Sequence, residues 1–274
     1  MRKAINFWVV ALAGLLILSA QPSQASTFTL TDLNSEVYFD TESQAGVYGW
    51  VVDGVDHLYQ QWFWFRIGAD GPEYSLDTLN LVSEIASDAN FNDGDDTLVA
   101  TYNNAQIQIV TRFSLTGGSL GSRTSSLAEQ ITISNLTDAA LDVHFFQYND
   151  FDLNETSGDD TGLLANAQTM RQLEARYVFN EVSVTPAPNR WEMDGYANIL
   201  NRLNDDYPTI LANQTSPYSG DVTWAFQWDF TLGAGEDAQI SKNKYLAPMV
   251  PIPAAVWLLA GGLIGLVGLR RKFR

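Results

Sequence analysis

Residues 221–232 place Trp224, Phe226, Trp228 and Phe230 at every second position, with Ala225, Gln227 and Asp229 between them. An extended strand points successive side chains to opposite faces, so the four aromatics share one face; a helix would scatter them around its circumference. The same period, in short runs stopped by Gly, Asn or Asp, recurs across residues 26–245. Val47–Val52 and Val55–Tyr59 flank Asp53-Gly54, a strong hairpin signal. Leu98–Tyr102 and Ala105–Leu115 flank Asn103-Asn104, and Ala128–Ser134 and Leu141–Tyr148 flank residues 135–138. Tyr177–Thr185 adds a further strand. Helical spacing is clear only over Asp194–Leu203, where Tyr196, Ile199, Leu200 and Leu203 form a stripe, while Asp77–Ser87 fits either period. Many short antiparallel strands with one helix predict an all-β fold, a large antiparallel β-sandwich filling one domain over residues 26–245.

Composition sets limits on function. Hydrophobic residues make up 46% and aromatics 12% of the 274 residues, enough for a substantial core. Six of the 15 Lys and Arg lie at the two ends, as Arg2, Lys3, Arg270, Arg271, Lys272 and Arg274. Residues 26–249 therefore carry nine bases against 32 acids, a net charge of -23. Such a surface repels phosphate backbones and excludes nucleic acid as a partner. Cysteine is absent, which removes disulfides, thiolate metal sites and cysteine nucleophiles.

The two ends read as addresses. Arg2 and Lys3 precede an apolar stretch over residues 5–20, and Ser23 and Ala25 then supply small side chains before Ser26. These are the three parts of a signal peptide spanning residues 1–25, with signal peptidase as the expected partner and Ser26 as the mature start. At the other end, residues 254–269 contain no polar side chain and are followed by the basic run Arg270-Arg271-Lys272-Phe273-Arg274. As a helix this run spans roughly 24 Å, enough to anchor in a bilayer once residues 250–253 enter the interface. The basic tail is then expected to stay cytoplasmic. The string Val250-Pro251-Ile252-Pro253-Ala254-Ala255-Val256-Trp257, the glycine-spaced apolar run and Arg270-Arg271 together resemble a PEP-CTERM sorting signal of the Val-Pro-Leu-Pro-Ala variant. The resemblance implies an exosortase as partner, a transient stay in the inner membrane, and delivery to the cell surface or extracellular matrix of a Gram-negative bacterium. Ile252 stands where the family's namesake has Glu.

Within the domain, Glu129–Leu153 resembles a strand pair of exported sandwich domains, including the sugar-handling supersandwich type. Gly117-Gly118-Ser119-Leu120-Gly121 matches the G-x-S-x-G string of serine hydrolases, but a second strand follows where that mechanism needs a helix, so the segment reads as a hairpin loop. His57 and His144, the only histidines, have no metal-ligand spacing, and no catalytic residue is nominated. Two acidic loops could offer hard oxygen ligands to calcium, the one cofactor considered: Asp93, Asp95 and Asp96 in one, Asp150, Asp152 and Asn154 in the other. The competing reading is a pair of solvated acidic turns. Tyr59–Arg66 alternates Trp62 and Trp64 with Phe63 and Phe65. A central strand covered on both faces explains this best; the functional alternative is a sugar platform of Trp62 and Trp64. The leading expectation is a non-enzymatic structural or adhesive surface component associated with extracellular polysaccharide. The alternative is a carbohydrate-active, mutarotase-like or sugar-binding protein on the same sandwich.

Overall fold

The computed structural model describes residues 27–92, 94–174, 176–214 and 216–249. The expected signal peptide, the sorting signal and the apolar run 254–269 lie outside the described residues. No helix among the described residues is long and apolar enough to cross a membrane.

In chain order the first strands are β1 (Thr27–Asp32), β2 (Ser35–Asp40), β3 (Gly46–Val52), β4 (Val55–Asp56), β5 (Gln60–Ile67) and β6 (Tyr74–Ser75). A 3-10 turn, Leu76–Thr78, leads into β7 (Asn80–Ser87), β8 (Thr97–Asn103), β9 (Ile107–Gly117), β10 (Ser125–Asn135) and β11 (Leu141–Asp150), and a second, Leu153–Glu155, follows. After them come β12 (Asp160–Asn166), β13 (Thr169–Glu174), β14 (Tyr177–Thr185) and β15 (Arg190–Gly195). The helix α1 (Asn198–Leu203) precedes β16 (Tyr218–Gly220), β17 (Val222–Leu232) and β18 (Asp237–Pro248). The strands form two nine-stranded sheets. The first runs β1-β2-β3-β5-β11-β17-β15, with β4 on β3 and β6 on β5; the second runs β16-β12-β13-β14-β18-β10-β9-β8-β7. Nearly every pairing is antiparallel, β3 with β5 being the parallel one. The all-β sandwich expected from the sequence is the architecture found.

The Asp53-Gly54 hairpin forms because both residues take left-handed backbone angles (φ 51° and 82°), which a two-residue turn between twisted strands requires. Residues 136–140 do something different from a hairpin: they carry the chain from β10 in the second sheet to β11 in the first. The ambiguous segment 77–87 resolves into the 3-10 turn and β7, and the helix shortens to Asn198–Leu203 because Asp194 is committed to β15. The last strand continues past residue 245 to Pro248, so the expected domain boundary falls inside β18.

Between the sheets lies a continuous aromatic core. Trp224, Phe226 and Trp228 face inward from β17, as their period requires, and Phe151 packs between Trp224 (5.4 Å between ring centroids) and Phe179 (3.9 Å). Phe63 bridges the sheets, stacked on Phe145 at 5.5 Å and tilted against Phe113 at 6.2 Å. The interior also holds charges. Lys242 and Lys244 on β18 are buried with Glu129 on β10 and Glu181 on β14. Glu129 pairs with both lysines, and Lys242 lies 3.3 Å from Glu181. The facing sheet completes the network: Lys244 donates to Gln61 (2.8 Å), Trp224 Nε1–H donates to Glu181 (3.2 Å), and Lys242 sits over the Phe63 ring. Burial pushes the Glu129 carboxyl up, but the two lysines outweigh it and hold it below its ordinary range. Two opposite pairs leave this network neutral, which is what allows four charges to be taken out of water.

The outer face of the first sheet is covered as well. Trp62 Nε1–H donates to Asp77 (3.2 Å) and Trp64 Nε1–H to Asn204 (3.0 Å). Arg66 and Glu73 form a buried ion pair whose carboxylate also accepts the Thr209 N–H. Trp62 and Trp64 are each 0% exposed, so they cannot serve as a sugar platform. Residues 73–78 and 198–212 roof them over, and the two-sided burial of β5 is the reason both its faces are aromatic.

Candidate functional site

At one end of the first sheet, β5 begins, β11 ends, β15 ends and β17 begins, and antiparallel pairing brings these four termini together. Asp150 stands opposite Gln60 on one side and Thr223 on the other. Tyr59 precedes β5 and donates its N–H to the Asp150 carbonyl (3.0 Å), while Tyr196 follows β15 and donates to the Asp221 carbonyl (3.1 Å). The Tyr59 and Tyr196 rings meet edge to face at 6.0 Å, each about half exposed.

Below them is a hollow of about 230 Å³ lined by Tyr59, Asp150, Asp152, Ser157, Tyr196 and Asp221. A second hollow of about 360 Å³ shares Tyr59 and Asp152 and adds Tyr48, Asp56, Leu58 and Glu155. A third, about 370 Å³, continues past Tyr48 and Tyr59 to Ala45 and Gln60. The result is a groove with five carboxylates in its lining, three exposed tyrosines and no lysine or arginine. A hollow of about 520 Å³ beside Phe65, Tyr74 and Gln106 contains no acid or base of comparable chemistry.

Asp150, Asp152 and Asp221 each offer a carboxylate oxygen, all within 4.8 Å of one another. Burial, reinforced by Asp152 and Asp221, pushes the Asp150 carboxyl up to about 8. Burial and then Asp221 raise Asp152 to about 6. Behind the groove, burial raises Asp160 to about 7, although Gln172 donates to it at 2.5 Å. The Tyr148 hydroxyl donates to Asp150 Oδ2 at 3.3 Å. Asp56 is held differently, accepting the N–H groups of Trp50, His57 and Leu58, so it fixes the groove wall.

The structure separates the sequence candidates. Asp150 and Asp152 come together, but the third carboxylate is Asp221, from the turn before β17; Asn154 is outside the lining of the hollows, its N–H donating to His57 Nδ1 (3.0 Å). In the other loop Asp93 lies outside the described residues. Asp95 is exposed, and the Asp96 carboxylate accepts the N–H groups of Ala89 and Asn90, which makes it a loop brace. His57 is buried against Tyr177, and His144 pairs with Asp229 at 2.6 Å on the outer sheet face. Ser119 sits in the β9–β10 hairpin loop, as the sequence implied. Tyr59, Tyr196 and Asp221 escaped sequence reasoning. The only local signal was that each abuts a strand end.

No protein-family model matches the sequence, and no curated protein matches it. Solved structures do match the fold. A proposed aldose 1-epimerase from Escherichia coli superposes with a TM-score of 0.53 at 11% identity, over 83% of this chain and 100% of its own. A protein of Synechocystis sp. gives 0.53 at 12% identity, over 86% and 100%. A bacterial glucoamylase solved with acarbose gives 0.53 at 8% identity over 84% of this chain, which spans 35% of the glucoamylase chain. At these identities the likeness is one of fold, and the fold is one found in carbohydrate-active proteins. It corrects the expectation of a structural or adhesive component and favours the alternative carbohydrate-active reading.

Proposed function

We propose that the domain is a carbohydrate-active protein that takes a saccharide into the Tyr48–Tyr59–Tyr196 groove. The lining carries this reading. Carboxylates accept hydrogen bonds from sugar hydroxyls, and exposed tyrosine rings pack against the apolar C–H faces of pyranoses. With five acids and no base along it, the groove repels uronates and sulfated glycans and favours neutral or amino sugars. The shared fold supports the same reading. Calorimetric titration with neutral oligosaccharides should show saturable binding that weakens by at least about tenfold in Tyr59→Ala, the loss of one stacking aromatic and its packing. Polarimetry of freshly dissolved aldoses separates a binder from an epimerase. If neutral and amino sugars show no binding and no turnover, or Tyr59→Ala binds as well as the parent, the reading fails.

The proposal extends to address. The chain is exported with Ser26 as its mature start, and residues 250–274 are a PEP-CTERM-like signal that an exosortase processes. The residues supporting this are Ser23, Ala25, the Pro251 and Pro253 pair and the terminal basic cluster. N-terminal sequencing of the mature protein should begin near Ser26, and removing residues 250–274 should abolish membrane fractionation. An intact Met1, or a truncated chain that still sediments with membranes, overturns it.

A further inference from the structure

The three carboxylates at the base of the groove face one another without a counter-charge. Asp150 ends β11, Asp152 lies in the turn after it and Asp221 immediately precedes β17, so two backbone segments distant in sequence converge on one point. Asp150 is 1% exposed, and its Oδ1 has no hydrogen-bond partner among the described residues. Leaving a buried carboxylate oxygen unpartnered is costly in any fold, more so beside two like charges. Among the described residues one other buried aspartate, Asp160, leaves an oxygen unpartnered, and its second oxygen accepts from Gln172, whereas Asp56 and Asp96 each accept two or more backbone N–H groups. Asp150 differs in its company: its Oδ2 accepts the Tyr148 hydroxyl at 3.3 Å, and the carboxylates of Asp152 and Asp221 lie beside it.

We infer that Asp150, Asp152 and Asp221 form a binding site for one calcium ion. Three carboxylates supply up to six oxygens, the hard ligand set that calcium takes at variable geometry. Zinc is disfavoured because neither histidine joins the cluster and cysteine is absent. Magnesium requires a stricter octahedron and keeps most of its water, which fits a half-enclosed acidic hollow less well. The ion would tie the end of β11 to the start of β17 beneath Tyr59 and Tyr196. The site stands on its own, whether or not the groove takes a saccharide.

The test uses purified full-length chain, stripped with EDTA and titrated with calcium chloride in the absence of any sugar. One site per chain is expected, with a dissociation constant on the order of 10⁻⁴–10⁻³ M or tighter. Calcium should raise the melting temperature, while sodium chloride at matched ionic strength should not reproduce the saturating shift. Asp152→Asn and Asp221→Asn should each weaken binding by about tenfold or more, and Asp159→Asn, an exposed acid outside the cluster, should leave it unchanged. Terbium supplies a readout that needs no variant: held beside Tyr59 and Tyr196 it should luminesce on tyrosine excitation and be displaced by calcium. Equal melting shifts with calcium and matched salt, or Asp221→Asn binding like the parent, would overturn the site. A failure of sugar binding with calcium binding intact would leave it standing.

Discussion

Lys242 and Lys244 sit where a sandwich ordinarily places aliphatic side chains, and nothing but their partners keeps them charged there. Burial pushes the Lys244 ammonium down, and Glu129 opposes it. Removing one member of such a group strands a buried charge, so Lys244→Met should cost about 3–5 kcal/mol in urea unfolding. Adding Glu129→Gln should recover part of that loss, because the Lys242–Glu181 pair at 3.3 Å survives and the core is neutral again. If the double variant is less stable than Lys244→Met alone, the network does not work by charge balance. His57 is the second residue with a legible energy. Burial lowers it to about 4, so it is neutral in the folded state and titrates near its ordinary value in the unfolded one. A depressed folded value means stability that is complete above about pH 6.5 and is lost as pH falls through about 4, at most about 3 kcal/mol. Urea titrations at pH 7 and pH 4 should therefore converge in His57→Asn relative to the parent; parallel profiles would exclude His57 as the source.

At the scale of elements, the sequence revealed strands whose two faces differ and concealed those whose faces do not follow polarity. The β17 alternation and the β3–β4 hairpin could be read directly, since Trp224, Phe226 and Trp228 obey the period and Asp53-Gly54 names its own turn. In β18, by contrast, Ile240, Lys242, Lys244 and Leu246 share the buried face, and two lysines in four positions look like solvent. The groove was half legible: Asp150 and Asp152 are a local cluster, whereas Asp221 joins them only through the β11–β17 register, which no short-range pattern encodes. The helix α1 is a further case, short and polar in composition yet placed as a cover. Ile199 and Leu203 anchor it, and Asn204 just beyond caps the Trp64 indole. Leu203→Ala should cost about 2–5 kcal/mol and shift tryptophan emission to the red as water reaches Trp64. Destabilisation without a spectral shift would show that α1 does not shield this face.

For the whole molecule, a net charge of -17 sets exposed carboxylates against one another, a repulsion that salt screens. The second sheet has another property at this scale. Its order places β18 between β14 and β10, so the other eight strands form two four-stranded pieces that do not touch each other through backbone pairing. The strand that joins them is the last of the described strands to be made. A chain made N-terminus first therefore holds both pieces open along one edge until residues 237–248 emerge. Each open edge presents an inward glutamate, Glu129 on β10 and Glu181 on β14, and two acids of like charge discourage the edges from closing on each other. Only a strand carrying Lys242 and Lys244 satisfies both. The segment that completes the sheet thus also serves as a timer, since the second sheet cannot close before the last of its strands is available.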